Sequence, residues 1–229
     1  MTRDQSPEET ESEYIKLMGE DLGKIFHALW QEVAWLFAKW GEYVELFGTK
    51  PSRIELVNKA SPLFFGIVQD SLWEDVILSI ARLTDPPKTA GKENLTIRRL
   101  PELVTSVDLK TGLDQLIQFS IQATDFCRDW RNRRIAHRDL QLAIESGITP
   151  LKKASRKRIK DALLSIVNVL NAVTLHYQDS VNLFIFPKGH GGSESLLYII
   201  DDGLRVAEER RELIKRGDYI EAELVPRDI

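Results

Sequence analysis

The sequence predicts an all-α fold, a multi-helix bundle with an extra helix at its C-terminal end. Three observations predict it. Apolar residues recur every three or four positions over long stretches, the spacing of one helix face. Gly48 and Pro51, Pro86 and Pro87, Thr149 and Pro150, and the run from Pro187 to Gly192 separate those stretches, and such residues end or open helices. No stretch of useful length alternates apolar and polar residues with the two-residue period of a strand.

The first stripe runs Ile15, Met18, Leu22, Ile25, Leu29, Val33, Leu36, Trp40, Val44, Phe47, and predicts one long helix over about 12–47. Phe26, Trp30 and Phe37 broaden its face, enough for a partner chain to cover part of it. A helical region over about 52–84 follows, bent or split at Pro62. Pro87 to Asn94 reads as a loop and 96–106 as a short helix. The next helix spans about 110–138, with Leu116, Phe119, Ala123, Phe126 and Trp130 as its stripe and Arg134 and His137 continuing that spacing. Residues 139–149 read as a connection. A helix over about 151–184 carries Ile159, Leu163, Ile166, Leu170, Val173, Tyr177, Val181 and Phe184. A charged final helix fits 193–216, stopped by Gly217.

With 229 residues the chain can bury one sizeable core, and its 43% hydrophobic and 29% charged residues are those of a soluble globular protein. A net charge of −4 excludes a globally basic nucleic-acid coat. The charge is segregated, however. Asp4, Glu8, Glu9, Glu11 and Glu13 make an acidic N-terminal segment, while Arg128–Arg138 and Lys152–Lys160 are basic. The expected organisation is an acidic flexible tail over 1–13, a helical domain over 14–186 and a C-terminal helical extension over 187–229. The single cysteine, Cys127, allows no intrachain disulfide, and no apolar run reaches the length of a membrane span. A cytoplasmic protein is expected.

The segment Arg131-Asn132-Arg133-Arg134-Ile135-Ala136-His137 carries the most chemistry. RNA is cut without a metal when its 2′-hydroxyl attacks the adjacent phosphorus. The protein must then move two protons and stabilise the added negative charge. Histidine does the first and arginine the second. Asn132 can bond a phosphate oxygen or ribose. Arg128, Arg133, Arg134, Arg138, Lys152, Lys153 and Arg156 are candidates for gathering the phosphate backbone. On an ideal helix, residues six apart diverge by about 120°. Arg131 and His137 therefore meet only if the helix ends between them or a second chain supplies one. On spacing alone, a chance Arg…His pair with a hydrogen-bonded histidine closing a core stripe is the better explanation of the segment.

The segment resembles the R-x4–6-H motif of the HEPN superfamily. The wider pattern is similar to the AbiU2-like branch: Asp70-Ser71 through Leu83-Thr84-Asp85, then Leu95-Thr96-Ile97-Arg98-Arg99-Leu100, then the motif, then a long helix ending His176-Tyr177. The resemblance spans about 14–184. It implies an α-helical, commonly dimeric fold and a metal-independent endoribonuclease of toxin–antitoxin or abortive-infection type, needing no cofactor. Arg131 and His137 would be catalytic, with Asn132 as their polar companion. RNA, a second copy and an antitoxin or regulatory protein are the implied partners. Some such proteins lack activity, so the alternative is a non-catalytic module binding RNA, a nucleotide or a protein.

Other features have plainer readings. The glycine-rich Gly189–Ser193 turn matches no nucleotide fingerprint and reads as a linker. Asp70 and Glu74 read as helix-surface charges or as salt-bridge partners of an arginine. His27, His176 and Cys127 read as structural, and Trp130 as core with a base-stacking role open to it.

Overall fold

In the computed structural model, which describes residues 6–137, 139–144, 149–184 and 191–218, the N-terminal stripe forms two helices rather than one. Helix α1 spans Pro7–Met18 and α2 spans Glu20–Phe47. Ser6 caps α1 reciprocally: its hydroxyl accepts from the Glu9 amide at 3.2 Å and the Glu9 carboxylate accepts from the Ser6 amide at 3.0 Å. Gly19, at φ +86°, breaks the run. The two backbones then cross closely, because a Cβ on Gly23 would lie 2.6 Å from Ile15 Cα. The apolar spacing continues across the break, which is why it reads as one helix.

Pro62 splits the next region as its rigid ring predicts, into α3 (Pro51–Ala60) and α4 (Pro62–Leu83). The expected loop after α4 holds a small hairpin, β1 (Lys88–Thr89) against β2 (Lys92–Glu93), with Lys88 opposite Glu93. Ala90 and Gly91 both take positive φ at its tip, as a tight two-residue connection requires. The hairpin is tied down by Arg99, which donates to the Pro87 carbonyl at 2.7 Å and pairs with Glu93. A 3-10 turn (Ile97–Arg99) leads into α5 (Leu100–Leu103), and Ser106 caps α6 (Val107–Ala123). Then come α7 (Asp125–Trp130), a π-helical turn (Arg131–Ile135) and α8 (Leu140–Ala143).

Helix α9 (Arg156–Gln178) starts at Ser155, whose hydroxyl accepts from the Arg158 amide at 3.2 Å, and not at the Thr149-Pro150 entry signal. It ends at Asp179 in the left-handed region, before Val181 and Phe184. Phe184 still packs, stacked on Phe37 at 5.4 Å between ring centroids, from a segment pinned by Asn182 and Asn171. The last helix, α10 (Ser193–Arg216), has the expected bounds with Gly217 as its C-cap.

The chain divides into two compact units. The first comprises Met1–Trp40 and Ser71–Phe186. Its centre is the packing of α6 on α9, where Ser165 donates to Ser120 at 3.0 Å and both are buried. Two hydroxymethyl groups at that crossing let the backbones approach closely. The second unit comprises Gly41–Asp70 and Pro187–Ile229, around Leu46, Val57, Phe65 and Leu197. No helix among the described residues is long and apolar enough to cross a membrane.

Candidate functional site

The face of α6 and α7 that enters the core decides which motif residue is held. The buried positions are Leu113, Ile117, Ser120, Thr124, Cys127 and, as its stripe predicts, Phe126, while Phe119 is 61% exposed. Continuing from Cys127 by four residues leads to Arg131, not to Arg134 or His137. The expectation that Arg134 and His137 close a core stripe is therefore corrected: both are exposed. The true stripe is hard to read because hydroxyl residues occupy it. Thr124 donates to the Ser120 carbonyl at 2.8 Å, and its hydroxyl oxygen lies 3.2 Å from the Thr84 hydroxyl, so its polarity is satisfied inside.

Thr84 belongs to the end of α4, next to Asp85, and Asp85 organises the motif. Arg131 Nη1 donates to Asp85 Oδ2 at 2.5 Å, and Arg128 Nε lies 3.9 Å from Asp85 Oδ1. The Arg128 guanidinium also donates to the Thr84 carbonyl at 3.2 Å. The Asp85 backbone is fixed in turn, since the buried Thr96 hydroxyl lies 2.8 Å from its carbonyl and 2.9 Å from that of Leu83. Arg131 Nε donates to Asn132 Oδ1 at 3.0 Å. The guanidinium is thus held on two edges. Of the five N–H donors an arginine carries, these two bonds use two and leave three.

The motif itself is not an ideal helix. The Ala136 amide donates to the Arg131 carbonyl at 2.8 Å, a five-residue step that makes a π-turn, and the turn ends at Ile135. The Asp139 amide bonds back to the Arg133 carbonyl at 3.0 Å. A helix end between Arg131 and His137 is one of the two conditions under which the pair can meet, and it is present. His137 is exposed and makes no hydrogen bond among the described residues.

The remaining candidates are largely engaged. Arg133 lies 3.5 Å from Asp129 and 3.6 Å from Asp139, and donates to the Thr149 carbonyl at 2.7 Å. Arg134 pairs with Glu74 at 3.3 Å, the salt bridge considered for that acid, and lies 5.3 Å over the Trp130 ring. Trp130 meets Trp73 edge-on at 6.3 Å and donates to the Lys152 carbonyl at 2.9 Å. Lys152 and Lys153 precede α9 instead of opening it. The Lys152 amine pairs with Asp125, and its amide donates to Asp129 at 2.8 Å. Lys153 and Arg156 are exposed. Arg138 and the Gly189-His190 part of the glycine-rich turn lie outside the described residues. Burial pushes the Cys127 thiol well up from its usual range, against the opposing pull of Arg158 and Arg128, so it is packing and not a nucleophile.

One residue was missed as a site member: Asp85. The sequence did place an aspartate at the end of α4, but nothing in the spacing said that it would face an arginine 46 residues later. A concavity of about 360 Å³ opens beside it, lined by Glu32, Ser79, Arg82, Leu83, Glu93 and Asn94.

Helices around a buried hydroxyl-bridged core, with an Arg…His turn beside an acid, make a helical bundle, and a family model places it in the HEPN class. The AbiU2 family model of that superfamily matches residues 19–191, and the chain belongs to that family. No curated protein and no solved structure matches it.

Proposed function

We propose that the protein is a metal-independent endoribonuclease. The observation that carries this reading is a braced Arg131 on one side of a helix end and, on the other, an exposed His137 that makes no hydrogen bond among the described residues. In the proposed reaction the substrate 2′-hydroxyl attacks its own phosphorus and gives up its proton to a base. The bond to the 5′-oxygen breaks and that oxygen is protonated. The products are a 2′,3′-cyclic phosphate and a 5′-hydroxyl end. His137 carries the proton transfer. Arg131 stabilises the added charge through its remaining N–H donors, which the protein has already oriented. Asn132 steadies Arg131 and leaves its amide nitrogen for the substrate. A second copy facing the first would add a second His137 and Arg131 to the same cleft. Family membership supports a role of this kind, in abortive infection or as a toxin.

One observation favours the other reading, a non-catalytic binding module. Each described arginine of the motif region already has a carboxylate partner. The deciding experiment is cleavage of single-stranded RNA in excess EDTA by wild type, Arg131→Ala and His137→Ala, with the termini analysed. Wild type should cut and leave cyclic phosphate, and either substitution should reduce the rate by at least about 10²-fold. Binding without turnover by wild type, or equal cutting by His137→Ala, overturns the assignment.

A further inference from the structure

The cavity of about 360 Å³ beside Asp85 has a charge pattern unlike that of the motif region. Three acids line it: Glu32 from α2, Asp85 from just past the end of α4, and Glu93 from β2. Asp85 is held by Arg131 and Arg128, and Glu93 by Arg99. The Glu32 carboxylate makes no hydrogen bond or ion pair among the described residues. The same holds for the guanidinium of Arg82, the basic residue of the wall. An acid and an arginine that line one small cavity without pairing are kept apart by the cavity itself.

The rest of the wall is fixed and partly apolar. Asn94 donates to the Pro86 carbonyl and to the Thr89 hydroxyl, both at 2.8 Å, which ties down the hairpin side. Leu83, which is buried, and Leu95, which is 39% exposed, supply apolar surface. The volume falls in the range of about 300–1,000 Å³ typical of small-molecule sites. A flat ring suits such a space, with its faces on the leucines and its polar edges toward the two charges.

The charges say which ring. A carboxylate only accepts hydrogen bonds and a guanidinium only donates them. The ring must therefore offer two donors along one edge and two acceptors along another. Guanine does so: N1–H and the N2 amine match a carboxylate, while O6 and N7 match an arginine. Adenine sets one donor beside one acceptor on each edge. Cytosine has one amine beside two acceptors, and uracil one N–H between two acceptors. None of these three gives an acid two adjacent donors. In unpaired RNA both edges of a base are open to reading. Asp85 belongs to this cavity and also braces Arg131, so a base bound here belongs to a nucleotide next to the phosphate that Arg131 would hold.

We propose that the cavity is the base subsite of the cleavage site and selects guanine. Glu32 accepts from N1–H and the N2 amine, and Arg82 donates to O6 and N7. The proposal rests on the endoribonuclease reading for its substrate and on the cavity for its base.

The probes are the 3′,5′-bisphosphates of guanosine, adenosine, cytidine and uridine, which share ribose and phosphates and differ only in the base. In calorimetric titration of the full chain, the guanosine compound should bind at least about 10-fold more tightly than the others, as one bidentate contact provides. Glu32→Gln sets an amine against the guanine donors. It should lower guanosine affinity by about 10- to 10²-fold and leave the other three little changed. Arg82→Gln should act in the same direction. Both side chains are exposed and unpaired among the described residues, so the thermal midpoint should not move. In cleavage of a random-sequence RNA, the cut bonds should be flanked by guanine, and Glu32→Gln should remove that bias. Equal binding of all four probes, or a guanosine preference that survives Glu32→Gln, overturns the base assignment. A guanosine preference in binding with cuts indifferent to guanine assigns the cavity to a free guanine nucleotide and overturns the substrate. A wild type that cuts no RNA ends the nuclease reading and the substrate with it, while the titrations still decide the base.

Discussion

Removing the carboxylate of Asp85 tests whether it positions Arg131 or merely stabilises the fold. The Arg131 and Asp85 side chains are 22% and 18% exposed, and Arg128 is 27% exposed, so all three are partly shielded from water. A hydrogen bond to a charged group contributes about 1.5–3 kcal/mol and a neutral one about 0.5–1.5. Asp85→Asn keeps an oxygen in place and loses the difference, about 1 kcal/mol, plus a few tenths for the longer Arg128 contact. Asp85→Ala leaves two partly buried guanidinium groups without a carboxylate and should cost about 3 kcal/mol. Both figures are read from urea denaturation midpoints.

Activity is the separate readout. Asp85→Glu retains the charge, and with it most of the stability, but the extra methylene displaces the guanidinium by about an ångström. Misplacement on that scale costs on the order of 10²-fold. RNA cleavage by Asp85→Glu should therefore fall mainly in kcat, with KM little changed, in a protein that is still folded. If Asp85→Glu and Asp85→Asn cut at the wild-type rate while stability falls as stated, Asp85 is structural and the positioning argument is refuted. If wild type itself does not cut, the nuclease reading fails first, and the stability values still stand.

Two other perturbations follow from the first unit. Gly23→Ala drives a Cβ into the α1 backbone, 2.6 Å from Ile15 Cα, and should cost about 1–3 kcal/mol in chemical denaturation, unlike Gly112→Ala, whose Cβ meets open space. Burial raises the pKa of both Cys127 and Tyr14, so the folded chain holds two protons that the unfolded chain releases. Their contribution is complete below the unfolded values and declines as pH rises past about 8.5 for the thiol and about 10 for the phenol. Iodoacetamide at pH 8 should label Cys127 only after unfolding, and rapid labelling of the native protein would contradict its burial.

The all-α fold was legible because its long helices carry apolar stripes that burial alone explains, as in α9 at Ile159, Leu163, Ile166, Leu170 and Val173. What escaped the sequence was of another kind. The break at Gly19 falls between two stripes in phase, so periodicity does not register it. The hairpin at Lys88–Glu93 is too short to alternate. The buried face of α6 was misread by one position because Ser120 and Thr124, polar in composition, find hydroxyl and carbonyl partners inside, whereas Phe119 is left in water. The motif was legible as residue types. Its geometry was not, because residue spacing does not register a π-turn, and the brace on Arg131 depends on Asp85, a contact between distant segments that local spacing does not encode.

That contact also changes what the arginines can do. Read from composition, Arg128–Arg138 is a dense positive patch that would gather phosphate by its field. In the folded chain Arg128 and Arg131 face Asp85, Arg133 faces Asp129 and Asp139, and Arg134 faces Glu74, so four arginines meet four carboxylates. Arginines matched one for one by carboxylates, as these four described ones are, release few counterions, and their attraction for a phosphate at a distance is weak. What remains is short-range: the unused N–H groups of Arg131, held in one orientation by Asp85 and Asn132. Donors fixed before the substrate arrives cost no reorganisation when charge develops on the phosphorus, whereas mobile arginines do. On the proposed reading, the carboxylates trade general affinity for RNA against a fixed arrangement at one phosphate. A site built that way is better suited to stabilising a transition state than to coating a strand, and this distinguishes the Arg131 turn from an ordinary basic patch.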